Sequence, residues 1–378
     1  MKALRVLHIY RTYFPQSRGG IEEAIRQICL GTQTSLVSSK VFYLSHQHQY
    51  QEQLSEAYVS TAPAHLTIAS CDIGSWAAIQ KARELAQDCD VIQIHYPWPF
   101  ADLLLPWILK KNQVLIVTYH SDIVRQSWLN HLYSPLRNYL LKKASRIVTT
   151  SPNYLSSSPI LQKHLNKTKV IPLGLDPSPP ISQKKLATWQ EQLPTRFFLF
   201  VGVMRYYKGL DYLIEAARLT QHPIVLIGDG PEKHRLEQLA SDLEHVHFLG
   251  ALDDDDKLAI LELSYGMVFP SHLRSEAFGV SLLEAARAKK SMISCDIQTG
   301  TSWVNQHQET GLVIPPANPA ALAEAMNTLV SNANLNRIYG EQAYQRWHTH
   351  FQTHQIGEDY RTLYDEALNE INPDRIHP

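Results

Sequence analysis

Short apolar runs alternate with longer amphipathic stretches along almost the whole chain, and this alternation restricts the fold more than any other feature. Leu4–Ile9, Lys40–Leu44, Val91–His95, Val114–Tyr119, Arg146–Thr150 and Lys169–Pro172 read as a first series of strands. Phe197–Val201, Pro223–Ile227, Val246–Leu249, Met267–Phe269, Ser291–Ser294 and Gly311–Ile314 read as a second. Helices fit between them, as at Ile21, Ala24, Ile25 and Ile28, or over Asp211–Thr220 and Pro231–Ala240. Strand–helix alternation predicts α/β architecture with parallel sheets. Asp176–Pro194 carries Pro177, Pro179, Pro180 and Pro194 around a polar helix-like piece and reads as a linker. At 378 residues the chain exceeds one ordinary core. Two Rossmann-like domains, residues 1–175 and 195–355, are therefore predicted to face each other across a cleft. The helix at about 356–378 has no strand of its own and is expected to pack back on the first domain.

Net charge is −1, which argues against nucleic acid as a partner. Residues 1–170 hold 18 Lys+Arg and 10 Asp+Glu (+8), whereas residues 171–378 hold 17 and 26 (−9). This asymmetry fits either a first half that meets an anionic surface or two domains of different pI. Tyr96–Arg146 interleaves Trp98, Phe100, Trp107, Trp128, Tyr133 and Tyr139 with Lys110, Lys111, Arg125, Arg137, Lys142, Lys143 and Arg146. That pattern suits contact with an anionic membrane, or an aromatic core beneath solvated lysines. Four cysteines, none in a CxxC pair, predict neither a disulfide framework nor a zinc site, and fit a reducing, cytoplasmic setting. No apolar run approaches the ~18 residues of a membrane span. Any membrane contact is then peripheral.

Several strand-to-helix junctions could carry chemistry. After Phe269 comes Ser275-Glu276-Ala277-Phe278-Gly279-Val280, with a helix expected near Gly279. Free amides and the dipole at a helix start bind phosphate. Glu276 and Glu284 could accept hydrogen bonds from sugar and ribose hydroxyls; the pattern equally fits a capped helix with surface glutamates. Gly202 to Gly209 follows a strand, and Arg205 and Lys208 there could neutralise a diphosphate. It is neither a Walker A loop nor GxGxxG, and Gly228-Asp229-Gly230-Pro231 lacks the third glycine of an NAD site. The run Asp253–Asp256 could cap a helix, read guanine or bind a metal. His120 ends a strand of the first half and could reach a reacting sugar.

In this order the segments resemble the retaining GT-B glycosyltransferases of family 4, over nearly the whole chain. The resemblance rests on Gly19-Gly20, His120, Val170–Asp176, the Arg/Lys loop, Gly228–Pro231 and the E-x7-E pair Glu276/Glu284. Gly300–Asn305 with Thr310-Gly311-Leu312 is similar to the bacterial mannosyl- and rhamnosyltransferase branch of surface-polysaccharide synthesis. The resemblance implies a nucleotide-sugar donor, GDP-mannose or GDP-rhamnose, and a saccharide or lipid-linked acceptor. It implies no cofactor and no metal. Gly20 would admit the donor phosphate, and Arg205 and Lys208 would contact the diphosphate. Leu252, Asp253 and Asp254 would face the base, with Lys257 nearby. Glu276 would hold the sugar, Ala277, Phe278, Gly279 and Val280 the phosphate and sugar, and Glu284 the ribose. His120 and Glu276 would act at the reacting carbon. The family usually has Arg immediately after the glycine at position 202; this chain has Val203, so Arg205 is expected to substitute. A UDP-sugar transferase, a GT-B epimerase and a non-catalytic nucleotide-sugar-binding subunit are the competing readings.

Overall fold

The computed structural model describes residues 3–46, 50–68, 71–123 and 127–372. It divides into two compact units, residues 1–174 with 353–378, and residues 175–352.

The first unit is built on strands β1 (Leu4–Ile9), β2 (Val37–Ser45), β3 (Gln51–Gln53), β4 (Tyr58–Ile68), β5 (Cys71–Gly74), β6 (Val91–Tyr96), β7 (Val114–Tyr119), β8 (Arg146–Thr149) and β9 (Thr168–Val170). Their order is β3-β4-β2-β1-β6-β7-β8-β9, with β5 on β4. Pairing is parallel except where β3 and β5 join β4. This antiparallel corner is absent from the sequence reading. The segment is half exposed, and Pro63, which cannot donate to a ladder, sits at the last β2–β4 step. Helices α1 (Gly20–Thr32), α2 (Trp76–Ala86), α3 (Pro99–Ile108), α4 (Ser127–Lys143) and α5 (Pro152–Ser157) connect the strands.

The second unit carries β10 (Phe198–Val201), β11 (Ile224–Ile227), β12 (Val246–Gly250), β13 (Gly266–Phe269), β14 (Met292–Cys295) and β15 (Gly311–Ile314). All pairs are parallel, in the order β12-β11-β10-β13-β14-β15. Its helices are α6 (Gln183–Gln192), α7 (Leu210–Leu219), α8 (Lys233–Leu239), α9 (Asp254–Leu263), α10 (Val280–Arg287), α11 (Thr301–Val304), α12 (Pro319–Ser331) and α13 (Ala333–His350). The stretch read as a linker is thus part of this unit. Lys185 Nζ donates to Asp256 Oδ2 at 2.8 Å and Trp189 Nε1 to Asp256 Oδ1 at 2.7 Å, which ties α6 to α9.

The last helix, α14 (Thr353–Ile371), belongs to the first unit. Ile356, Tyr360, Leu363, Tyr364 and Leu368 share one core with Leu4, Val6, Val91 and Val114. Gly31 and Gly357 let α1 and α14 touch backbone to backbone: a Cβ on Gly357 would lie 1.8 Å from the Gly31 carbonyl oxygen.

The second sheet runs outward from β10 on one side and from β13 on the other, so its strand order reverses between them. In the first sheet the reversal falls between β1 and β6. Ligands of open α/β sheets bind beyond the strand carboxyl ends at such points.

Candidate active site

In the second unit, the loops leaving β10 and β13 meet at the switch point. Residues Tyr206–Lys208 form a single 3-10 turn, followed by Gly209 at φ 69°. A side chain at Gly209 would collide with the Pro270 carbonyl, at 2.1 Å, so glycine is what lets the two loops touch. Lys208 and Glu276 are both buried, at 8% and 9% exposure, and the ammonium bonds Glu276 Oε2. Ser271 Oγ donates to the same oxygen at 3.2 Å. The ammonium also lies 4.7 Å from the centre of the Phe269 ring. Breaking such a pair would strand a buried charge.

The turn after β11 braces this loop. Met204 N donates to the Asp229 carbonyl at 2.8 Å, and Gly202 N to the Ile227 carbonyl at 3.0 Å. A Cβ on Gly228 would lie 2.0 Å from the Gly202 oxygen, so Gly228–Pro231 shapes the backbone around residues 202–208. Arg205 is exposed, and among the described residues its guanidinium makes no hydrogen bond or ion pair.

Helix α10 starts at Val280 behind Gly279, whose φ of 88° favours glycine. Ser281 Oγ donates to the Val201 carbonyl at 2.8 Å, fixing the helix start at the end of β10. Phe278 is buried, and Gly300 N donates to the Ala277 carbonyl at 2.8 Å. The segment from Gly300 to Leu312 is structural: Asn305 Nδ2 donates to Ser294 Oγ at 2.9 Å and Thr310 Oγ1 to Asn305 Oδ1 at 3.0 Å.

One turn into α10, Glu284 Oε1 accepts from Lys257 Nζ at 2.8 Å, and Asp254 Oδ1 lies 3.0 Å from the same ammonium. Burial pulls the Lys257 pKa down, but Glu284 and Asp254 outweigh it and raise it above the ordinary lysine value. The aspartate run divides its tasks. Asp253 Oδ1 caps α9 by accepting from Asp256 N at 2.8 Å, Asp254 faces Lys257, and Asp256 holds α6. Leu252, half-buried, precedes the cap. Among the described residues no three acidic, histidine or cysteine side chains converge as a metal site.

In the first unit, Gly20 is exposed at the first residue of α1. Glu22 beside it is buried and accepts from Thr12 Oγ1 at 2.7 Å and Ser17 Oγ at 2.8 Å. His120 follows β7, with Nε2 3.0 Å from His95 Nδ1; His95 Nε2 is in turn 3.1 Å from His8 Nδ1. Burial alone lowers the pKa of His8 and of His120 to about 3, and burial, with the two neighbouring rings, also lowers that of His95 well below the ordinary value. His8 and His95 went unnoticed in the sequence reading. Their signal is a histidine near the end of each apolar strand: LRVLHI, VIQIHY and VLIVTY followed by His120.

The aromatic-basic segment splits. Trp98 and Phe100 are core, and Trp98 Nε1 donates to the Asp72 carbonyl at 2.9 Å; Tyr133 bonds buried Asp102. Trp107 and Tyr139 are exposed, with Lys110, Lys111, Lys142 and Lys143. Arg125 and the side chain of Trp128 lie outside the described residues. No helix of the described residues is long and apolar enough to cross a membrane.

The arrangement of two Rossmann-type sheets recurs in solved structures. Sucrose-phosphate synthase from Thermosynechococcus elongatus superposes with a TM-score of 0.78 at 19% identity, covering 97% of this chain and all of that one. Anabaena HepE in complex with UDP-glucose gives 0.76 at 16%, covering 96% and 100%. The fold is GT-B. Residues 18–179 match the family described as Glycosyltransferase Family 4, and residues 182–346 that described as Glycosyl transferases group 1. A D-rhamnosyltransferase, WbpZ of Pseudomonas aeruginosa, is 46% identical over 91% of each chain. O-antigen chain mannosyltransferase C of Escherichia coli is 40% identical over 97% of this chain and 99% of its own. The chain therefore belongs to the family 4 (group 1) glycosyltransferases and is an enzyme of that class.

Proposed function

We propose that the protein is a retaining hexosyltransferase that moves mannose or rhamnose from a GDP-sugar to a saccharide or lipid-linked acceptor in surface-polysaccharide synthesis. The carrying observation is the buried Lys208–Glu276 pair beside the start of α10. It sets a cation, a hydroxyl acceptor and free helix amides at one switch point. The named activities of the rhamnosyl- and mannosyltransferase relatives above support the sugar class.

In this reading Lys208, Arg205 and the amides from Ala277 to Val280 stabilise the charge that grows on the departing diphosphate. Glu276 accepts hydrogen bonds from the sugar hydroxyls and Glu284 from the ribose. Leu252, Asp253 and Asp254 face the base beside Lys257, and Gly20 admits the phosphate. His120 contacts the sugar near the reacting carbon. The acceptor attacks on the face the leaving group vacates, and its proton passes to the departing phosphate oxygen. No carboxylate need form a covalent sugar ester, unlike a retaining hydrolase. No metal or cofactor takes part. Exposed Trp107 and Tyr139 among lysines support peripheral contact with an anionic membrane at the cytoplasmic face.

The test is turnover with GDP-mannose, GDP-rhamnose, UDP-glucose and UDP-GlcNAc, with product anomeric configuration read by NMR. A GDP-sugar preference with retention is expected; a UDP-sugar preference rejects the guanine reading.

A further inference from the structure

His8, His95 and His120 form a hydrogen-bonded row that runs diagonally across β1, β6 and the end of β7. Neighbouring rings are nearly parallel, with interplanar angles of 27° and 19°, and they meet nitrogen to nitrogen at 3.1 and 3.0 Å. All three are buried, at 0%, 0% and 3% exposure. The nitrogens face each other in sequence instead of converging, so the row is not a metal site. Tyr10 packs edge-on to His95, and among the described residues the groups that shift a ring besides burial are the row's own members, His8 and His120 acting on His95.

We infer that His8 and His95 are positioning residues that hold His120 with its ring hydrogen on Nδ1, so that it meets a bound sugar as a hydrogen-bond donor and not as a base. The inference rests on the sugar contact proposed above for His120.

A neutral imidazole has one N–H and one bare nitrogen. Burial keeps all three rings neutral, so each carries one ring hydrogen. The two bonds must then run in the same sense. If they ran toward His95 from both ends, its ring would have to be bare on both nitrogens; if away from it on both sides, it would have to carry two hydrogens and a charge. The row thus has two states. In the first, His8 Nδ1–H donates to His95 Nε2, His95 Nδ1–H donates to His120 Nε2, and His120 keeps its hydrogen on Nδ1. In the second, every bond reverses and His120 presents a bare Nδ1.

His8 Nε2 decides between them. It is buried and, among the described residues, has no hydrogen-bond partner. The first state leaves a lone pair unmatched there, and the second leaves an N–H unmatched. Orphaned buried N–H groups are the rarer and costlier kind. The far end of the row therefore selects the first state, and the choice is transmitted through His95. Nδ1 of His120 makes no hydrogen bond among the described residues and is the atom left for a ligand.

The experiment is 15N spectroscopy of the ligand-free full chain with labelled histidine, the His120 signals being assigned by their loss in His120→Gln. We expect His120 protonated on Nδ1 and bare on Nε2. In His95→Phe the ring should become a mixture of tautomers. Its kcat, with whichever of the four screened donors is preferred, should fall about tenfold, with the donor KM within about twofold. His95→Gln, whose amide can accept from His8 and donate to His120, should recover most of that loss. A bare Nδ1 in the wild type, an unchanged His120 tautomer in His95→Phe, or an unchanged kcat there would each overturn the inference. Full turnover in His120→Ala would instead sink the sugar-contact reading, while the ligand-free spectra still decide the tautomer.

Discussion

The two sheets place polar side chains at the same kind of location and meet the penalty of burial in opposite ways. At the switch point of the first, His8, His95 and His120 give up charge: all three pKa values are lowered by burial. At the switch point of the second, Lys208 and Glu276 lie against each other as an ion pair, beside Ser271 and the face of Phe269. A neutral row supplies direction without charge. An ion pair keeps a cation in a dry place, where it acts on a phosphate far more strongly than in water. Under the proposed function, the ion pair suits a phosphate leaving group and the neutral row a sugar hydroxyl.

Acid should break the symmetry most visibly. The folded-state pKa values of the row lie below the unfolded value of 6.5, so the unfolded chain binds protons that the folded one does not. Stability from the row is complete above pH 6.5 and is lost as pH falls, by about 1.4 kcal/mol per ring per pH unit. All three rings act in the same direction, so the loss with falling pH is steeper than for one ring. Hydrogen exchange of β1, β6 and β7, corrected for its own pH dependence, should accelerate between pH 7.5 and 5.5 well before that of β10 and β13. Equal acceleration in both sheets would erase the distinction.

Removing either half of the ion pair should come next. Glu276→Ala and Lys208→Ala are each expected to lower transfer by about a thousandfold, and to destabilise the fold by about 3 kcal/mol without unfolding it. Wild-type-like turnover in a folded variant would remove the pair from the site. Gly279→Ala is milder. Its Cβ would lie 3.0 Å from the Phe269 ring at a backbone angle of 88°, for a cost of about 1–3 kcal/mol and a tilted helix start. Transfer should fall about tenfold with little change in donor preference. The smallest effect separates two roles of one residue. Asp253→Ser retains a good cap, so thermal stability should shift by less than about 0.5 kcal/mol. If the carboxylate also reads guanine, KM for the GDP-sugar should still rise about tenfold. An unchanged KM would leave Asp253 with its cap and its Lys185 ion pair alone.

The sheets behind this contrast are legible in the sequence, and so are the residues on one side of it, but not their pairings. The strands of both sheets follow from short apolar runs bounded by turn residues, because burial on both faces makes a parallel strand continuously hydrophobic. Glu276, Gly279 and Glu284 lie within ten residues and could be recognised from their spacing. His8 and His95 lie 87 residues apart, and their meaning depends on β1 and β6 being neighbours. Asp253 to Asp256 illustrates the middle case. Composition allowed a cap, a base reader or a metal site, and it took Lys185, Trp189 and Lys257 to show how three of the carboxylates are engaged. Asp176–Pro194 looked like a linker because its prolines are local, whereas its attachment to α9 is not.

The sequence by itself determined the two-part α/β organisation and the family. These depend on periodicity, turn chemistry and helix ends, which are properties of adjacent residues. The tertiary structure alone decided which side chains share a hydrogen bond: that Lys208 meets Glu276 across two loops, that Lys257 holds Glu284, and that three strands align their histidines. The reason is physical. Hydrogen bonds and ion pairs act over about 3 Å, and only the order of strands in a sheet brings distant residues within that range.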